Sequence, residues 1–432
     1  MATVLCQFED IESVAAASCR VALVGFGTVG SSVARLLQSQ VQSPLQLTHI
    51  CNREIGRKKA DWVRSDVQWT DSFDEVLNSN VDVVVELIGG VGAAHDLVRR
   101  ALEAGKSVVT ANKQLMAHCG PELLKLAGDN RLHLGFGACV AGGIPVLSAL
   151  HDGLAGDRLI RIRGILNGTC NYIFTRMEQG TSFEDALSEA QSMGFAEADP
   201  TEDVDGLDAG AKLAILARVA FDIDVSPRQV LCRSIRRVDA VDFAYAQELG
   251  CTIRQVSMAE LVDASLSLSV GPALVARNSS LASVSDSQNL VVTTGEFGGE
   301  TSFGGHGAGG NPTAVAVVSD LLQAARHRRN GVASLERQYA ASRPVIDDQA
   351  ARHYLRFVVR DRPGILAALA SALCRHRINI DAVLQKPDYA KSALPFVITL
   401  EPCRRHELDA AMSDIEGCDF LVEPPLTMPI FR

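Results

Sequence analysis

Arg20-Val-Ala-Leu-Val-Gly-Phe-Gly-Thr-Val-Gly30 decides how the first third of the chain folds. Its short apolar run reads as a strand buried on both faces. Gly25, Gly27 and Gly30 follow directly and open a helical pattern through Val33, Leu36 and Leu37. The glycine spacing alone is weak, because an incidental glycine turn would carry it too. Its position between a buried strand and a helix supplies a mechanism. Glycines permit a tight turn and close backbone approach, and the free N–H groups of the helix start suit a pyrophosphate. Apolar runs at 45–51, 81–87, 107–110 and 132–134 alternate with helical patterns near 96–104 and 122–126. Strands alternating with helices predict an open, mostly parallel α/β sheet.

Two more places on that sheet bear on its ligand. At the end of the second strand a carboxylate would bind a ribose 2′-hydroxyl, whereas an arginine accommodates a 2′-phosphate. The chain has Cys51-Asn52-Arg53 there, with Arg57, Lys58 and Lys59 close behind and Glu54 as a dissenting carboxylate. NADP(H) is therefore expected in preference to NAD(H), although Lys58 and Lys59 also suit a solvated surface. Thr110-Ala-Asn-Lys113 ends a parallel strand on the edge where such sheets bind ligands. Lys113 is thus a candidate for the nicotinamide or substrate side, with a plain surface lysine as the alternative.

From Asp157 the texture changes. A strand at 159–165 alternates apolar and basic residues, helices are expected at 183–193 and 207–221, and several strands between 252 and 292. A glycine-rich loop at 304–310 leads into an apolar helix through Leu322. Helices segregated from strands predict an α+β second domain. A polar, mixed stretch follows, and 351–432 then reads strand, helix, strand, strand, helix, strand, the order of a small βαββαβ domain. The expected division is 1–150 for the nucleotide domain and 151–326 for a substrate and dimerisation domain, with the chain returning to the nucleotide domain near 304–326. A linker at 327–350 and the tail domain at 351–432 complete it.

Composition bounds the function. At 432 residues, 47% hydrophobic and 21% charged, the chain has room for two or three globular domains. A net charge of −10 argues against a nucleic-acid partner, which requires a basic face. No apolar run reaches the roughly 18 residues of a membrane span. Glu9, Asp10 and Glu12 lie where a secretory signal would need a basic start, so a cytoplasmic location is expected. The 11 cysteines are scattered, with no Cys-x-x-Cys, which disfavours a disulfide framework or a thiolate zinc site.

Glu197-Ala-Asp-Pro-Thr-Glu-Asp-Val-Asp-Gly-Leu-Asp-Ala-Gly-Ala-Lys212 runs from a carboxylate-rich loop into a nearly apolar helix. Asp208 and Lys212 stand one turn apart and project from one side. A helix apolar almost all round is normally buried, and a buried carboxylate and ammonium must be paired or used. A purely structural ion pair is one reading and a catalytic pair the other. Asp203 and Asp205 are expected to support the loop or cap the helix. The spacing of this acidic run does not fit a calcium loop.

Across nearly its whole length the chain resembles the bacterial homoserine dehydrogenases that carry an ACT domain. The resemblance rests on Gly164-Ile-Leu-Asn-Gly-Thr-Cys-Asn-Tyr172, Gly194-Phe-Ala-Glu-Ala-Asp-Pro-Thr201, Asp203-Val-Asp-Gly-Leu-Asp208 with Lys212, Gly307-Ala-Gly-Gly-Asn-Pro-Thr-Ala314 and Thr110-Ala-Asn-Lys113. It implies a Rossmann-type domain and NAD(P)H-dependent interconversion of aspartate 4-semialdehyde and homoserine, on the route to threonine, methionine and isoleucine. By the same resemblance Lys212 is the proton donor, Glu197 and Asp208 bind substrate, and Lys113 serves cofactor, substrate and acid–base work. Phe26, Thr28, Val29, Gly194 and Gly309 match cofactor-contacting positions. Val140, Gly142 and Ile144 match positions whose main-chain oxygens hold a structural sodium ion, to which the family's glutamate at the place of Gly137 contributes. Asp361-Arg-Pro-Gly-Ile-Leu-Ala-Ala-Leu and Ile378-Asn-Ile-Asp381 are similar to the opening of ACT domains, which bind small amino acids at paired interfaces. That implies feedback by an effector, threonine first, and a homo-oligomer, dimer or tetramer. Rival readings are an ACT-linked hydroxy-acid dehydrogenase and a catalytically silent amino-acid sensor.

Overall fold

A computed structural model describes residues 18–39, 43–263, 265–330, 343–346, 348, 350–387 and 389–431. The leader before residue 18 and most of the expected linker lie outside the described residues. The first sheet is built from β1 (Cys19–Val24), β2 (Leu45–Cys51), β3 (Gln68–Thr70), β4 (Val83–Glu86), β5 (Ser107–Thr110) and β6 (Leu134–Gly135). These run parallel in the order β3-β2-β1-β4-β5-β6. The order reverses between β1 and β4, which leaves a crevice at their carboxyl ends. Val21 to Val24 of β1 and Val83 to Val85 of β4 are buried, apolar runs, as expected of parallel strands covered on both faces.

The second sheet contains β7 (Leu159–Ile165), β8 (Leu231–Cys232), β9 (Cys251–Val262), β10 (Ser265–Ala276), β11 (Gln288–Gly295) and β12 (Gly299–His306). It continues with β13 (Ala351–Val359), β14 (Ile380–Leu384), β15 (Leu394–Cys403) and β16 (Leu426–Phe431). The order is β12-β11-β7-β9-β10-β16-β13-β15-β14, with β8 beside β10. The tail's βαββαβ unit therefore joins the substrate domain's sheet. Leu274 and Val275 of β10 pair in parallel with Ile430 and Phe431 of β16.

Three sequence expectations shift. The stretch at 132–134 contributes strand only from Leu134. The glycine-rich run at 304–310 is not all loop, since 304–306 end β12. The following helix continues to Asn330, past the boundary at 326. That helix crosses back to the nucleotide domain, where Ala314, Val317, Val318 and Leu321 share one core with Val33, Ala34 and Leu37. In the other direction Val345 bridges to Leu266, so part of the expected linker is tied to β10.

Candidate active site

The helix Leu207–Phe221 has eleven of its fifteen residues buried, Asp208 among them. An isolated carboxylate there would be very costly, and the chain surrounds it with donors. Lys212 Nζ lies 2.8 Å from Asp208 Oδ2 and also donates to the Leu166 carbonyl at 2.8 Å. Lys113 Nζ stands 2.5 Å from Asp208 Oδ1. Asn167 Nδ2 donates to Asp208 Oδ2 at 2.9 Å and to Asp203 Oδ1 at 2.6 Å. Burial alone would raise the Asp208 carboxyl, but the two ammoniums outweigh it and hold the group far below the usual carboxylate range. Burial would likewise lower Lys113, yet Asp208 raises it on balance and keeps it protonated. Asp203 is pushed up by burial, with Asn167 opposing and Asp208 adding to the rise.

Each member is fixed from behind. Arg218, on the helix of Lys212, donates to the carbonyls of Met116 and Ala117 at 2.7 and 2.6 Å, which ties it to the helix Lys113–Asp129. Asn112 caps that helix by accepting from Leu115 N, and its amide donates to Gly90 O at 2.6 Å. Glu86, fully buried at the end of β4, accepts from Thr110 Oγ1 at 2.5 Å and Ile88 N at 2.8 Å. Asn167 caps Gly168–Glu178 through Cys170 N. Glu86 and Asn167 were not singled out from sequence. The available signal was a carboxylate closing an apolar parallel strand, and an asparagine preceding a helix.

The turn after β1 fits a dinucleotide. Gly25 has φ of +105°, and a Cβ on it would lie 2.7 Å from Leu87 O. A Cβ on Gly30 would strike the Gly25 carbonyl. Gly27 differs, because a Cβ there meets nothing within 4 Å. The protein itself does not require glycine at 27; the open space suits a phosphate approaching the helix Thr28–Ser39. Thr28 is exposed and Val29 half-buried beside it. Phe26 is buried, with its ring stacked on Trp62 and edge-on to Trp69, so its side chain is already packed. Gly309, with φ of +112°, arrives at the same turn, since a Cβ on Gly310 would lie 2.8 Å from Ser32 Oγ. Arg53 is exposed just past β2, and Glu54 is turned toward Arg57 at 3.3 Å.

The other expected residues lie on the segments before the Leu207–Phe221 helix and on the loops around the nucleotide sheet. Glu197 and Gly194 are exposed on the loop before Pro200, and Glu197's carbonyl accepts from Gln191 Nε2 at 3.0 Å. Asp203 and Asp205 do not cap the Leu207 helix, whose N-cap is Gly206 in the left-handed region. Asp203 binds Asn167 instead, and Asp205 accepts from Ser234 Oγ at 2.6 Å. Val140, Gly142 and Ile144 form a tight loop in which Ala141 and Gly142 have positive φ. Ile144 O already accepts from Val146 N at 2.7 Å. At Gly137 the missing carboxylate has a neighbour. Gly137 N donates to Asp320 Oδ2 at 2.7 Å, and Asp320 Oδ1 lies 2.9 Å from where a Gly137 Cβ would stand. Burial pushes Asp320 up to about 7, with the Gly137 N–H only partly opposing. Among the described residues, no helix is long and apolar enough to cross a membrane and no His/Cys/Asp/Glu group is arranged to hold a metal ion.

Family models match three segments of the chain: the homoserine dehydrogenase NAD binding domain at 25–136, homoserine dehydrogenase at 145–322, and the ACT domain at 353–419. A homoserine dehydrogenase of Bacillus subtilis is 37% identical over 407 residues, covering 92% of this chain and 93% of its own. A crystal structure of the Thiobacillus denitrificans homoserine dehydrogenase superposes with a TM-score of 0.90 at 32% identity, over 96% and 98% of the two chains. A hyperthermophilic archaeal homoserine dehydrogenase in complex with NADPH reaches 0.61 at 28% identity, over 71% of this chain and 97% of its own. With its nucleotide turn, its lysine–aspartate–lysine cluster and its βαββαβ tail, the chain belongs to the homoserine dehydrogenase family, in the form that carries a C-terminal ACT domain.

Proposed function

We propose that the chain interconverts aspartate 4-semialdehyde and homoserine, using the Lys113–Asp208–Lys212 cluster at the nucleotide crevice. The observation that carries this reading is one buried carboxylate holding two ammoniums, one per oxygen. A nicotinamide cofactor held at this crevice would supply or accept the hydride at the substrate carbon. The protein must then handle the oxygen, which gains negative charge as the aldehyde is reduced. Lys212, 12% exposed and oriented by Asp208 and the Leu166 carbonyl, donates the proton to that oxygen. Lys113, more open at 39%, stays cationic and polarises the carbonyl from the cofactor side. In the oxidative direction Lys212 takes the hydroxyl proton back. Asp208 and, from the exposed loop, Glu197 accept from the substrate's ammonium. Assaying homoserine oxidation by the purified full chain tests this; a folded chain inactive with both NADP⁺ and NAD⁺ would overturn it.

The same reading assigns NADP(H) over NAD(H), supported by exposed Arg53 and by Glu54 turning to Arg57. Main-chain N–H groups near Gly25, Gly27 and Gly30 would hold the pyrophosphate, and Phe26, Thr28, Val29, Gly194 and Gly309 would contact the cofactor. An Arg53→Ala change should raise the KM for NADPH by about tenfold while leaving NADH use nearly unchanged. Equal effects on both cofactors would remove Arg53 from the choice. A sodium ion on the main-chain oxygens of Val140, Gly142 and Ile144 belongs to the reading too, held weakly because residue 137 brings no carboxylate. Rates indifferent to replacing sodium by choline would count against it. We further infer a cytoplasmic homo-oligomer, dimer or tetramer, feedback-regulated through the ACT domain with threonine as first candidate. No disulfide joins two of the described cysteines, which suits a reducing compartment.

A further inference from the structure

Where the ACT domain meets the substrate domain lies a polar cavity of about 330 Å³. Arg236, Arg237 and Arg356 line it together with Glu184, Asp239 and Glu423. The helices Phe183–Ser192 and Ala240–Glu248 both begin at its wall. Three arginines and three acidic residues thus line one cavity. A phosphate would meet the carboxylates as well as the arginines, and a simple amine would meet the arginines. Only a small molecule carrying both signs can use both sets. Part of the wall is fixed before any ligand arrives. Arg356, 7% exposed, pairs with Asp242 at 3.1 Å and Glu423 at 3.4 Å and donates to the Arg237 carbonyl at 2.8 Å.

We propose that this cavity binds a free α-amino acid, its carboxylate at Arg236 and Arg237 and its ammonium at Glu184 and Glu423. The site lies at the seam between domains of one chain, not between paired ACT domains. Its wall also leads to the catalytic cluster. Arg236 Nε is 3.4 Å from Asp205 Oδ1, and Asp205 directly follows the turn Thr201–Val204 that holds Asp203. Asp203 shares the Asn167 amide with Asp208. A ligand carboxylate competing for Arg236 releases Asp205 and loosens the turn ahead of the Leu207–Phe221 helix, which lowers activity. This coupling rests on the catalytic reading of Asp208 and Lys212; binding itself does not.

The full chain is titrated by calorimetry with each proteinogenic L-amino acid in turn, then with the N-acetyl and methyl-ester forms of any that binds. At least one amino acid binds at millimolar concentration or tighter, and neither blocked form does. Arg236→Ala and Glu184→Gln, checked for parental melting, each weaken binding by about tenfold or more. The same amino acid slows homoserine oxidation in the parent chain. Absence of binding by every amino acid overturns the site. Binding that both variants leave intact also overturns it, because the ligand then sits elsewhere. Binding without inhibition removes the coupling through Arg236. Binding to a folded chain that never oxidises homoserine sinks the catalytic reading while supporting the cavity.

Discussion

Asp208 stays ionised in an apolar helix only because a cation stands on each oxygen. Removing one partner therefore has different consequences from removing the carboxylate. Lys212→Ala leaves Lys113 on Asp208 but deletes the proposed proton donor, and kcat should fall by about 10²–10⁴. Steady-state rates within about threefold of a folded parent would exclude Lys212 from the chemistry. Asp208→Ala strands the more buried Lys212 and should cost about 3 kcal/mol in urea unfolding, besides raising the KM for homoserine. Unchanged stability together with unchanged KM would contradict both parts. The Asp208–Lys212 half of this cluster was legible in the sequence, because helical spacing puts residues four apart on one side. Lys113 was legible only as a strand-end lysine, since no local pattern reveals which carboxylate a distant lysine reaches. Glu86 was harder still. Its function is to hold the loop after β4 and the Thr110 hydroxyl, and such internal hydrogen bonds leave no periodicity.

At the scale of elements, the helix Gly310–Asn330 joins the two ends of the nucleotide domain. It begins against Thr28 and Ser32 and ends where Arg328 pairs with Asp82, which also holds Arg20. Those ion pairs explain why its last turns resemble a linker in sequence. Polar residues there bind polar residues of the first domain, so the apolar period stops before the helix does. Asp320 sits midway, 8% exposed, with Gly137 N donating to it and a pKa near 7. Such an acid binds its proton more tightly folded than unfolded. Its stabilising contribution is full below about pH 4 and is lost as pH rises through about 7, up to roughly 4 kcal/mol. Melting temperature should therefore fall from pH 5 to pH 8 at fixed sodium, and Asp320→Asn should flatten that slope. A variant with the parental slope would show that another group titrates. Gly30→Ala is the matching test of the turn itself. With a Cβ driven into the Gly25 carbonyl, NADPH binding should be lost before the fold is, and unaltered NADPH affinity would contradict the geometry.

For the whole molecule, the sequence announces a self-contained βαββαβ tail, and its strand and helix order is present as read. It does not announce that β16 has a second neighbour, because main-chain pairing at a sheet edge is nearly indifferent to side-chain identity. That neighbour changes what the tail is. Tyr354, Val397, Leu426, Met428 and Ile430 are buried in one core with Phe174, Phe243, Tyr245 and Leu274 of the substrate domain. Tyr354 Oη donates to the fully buried Asp242 at 2.7 Å, Tyr245 Oη donates to Pro395 O at 3.0 Å, and Lys386 pairs with Glu248 at 2.8 Å. Removing 351–432 would bare the edge of β10, open that core, and strip Asp242 of both Tyr354 and Arg356. Deletion is consequently a poor way to separate regulation from catalysis: the truncated chain should aggregate or melt well below the parent rather than survive as an unregulated enzyme. Calorimetry of the full chain should show the substrate and ACT domains unfolding in a single cooperative transition. Two resolved transitions, with catalytic activity outlasting the first, would mean that the β10–β16 seam transmits no stability and that the ACT unit is only tethered.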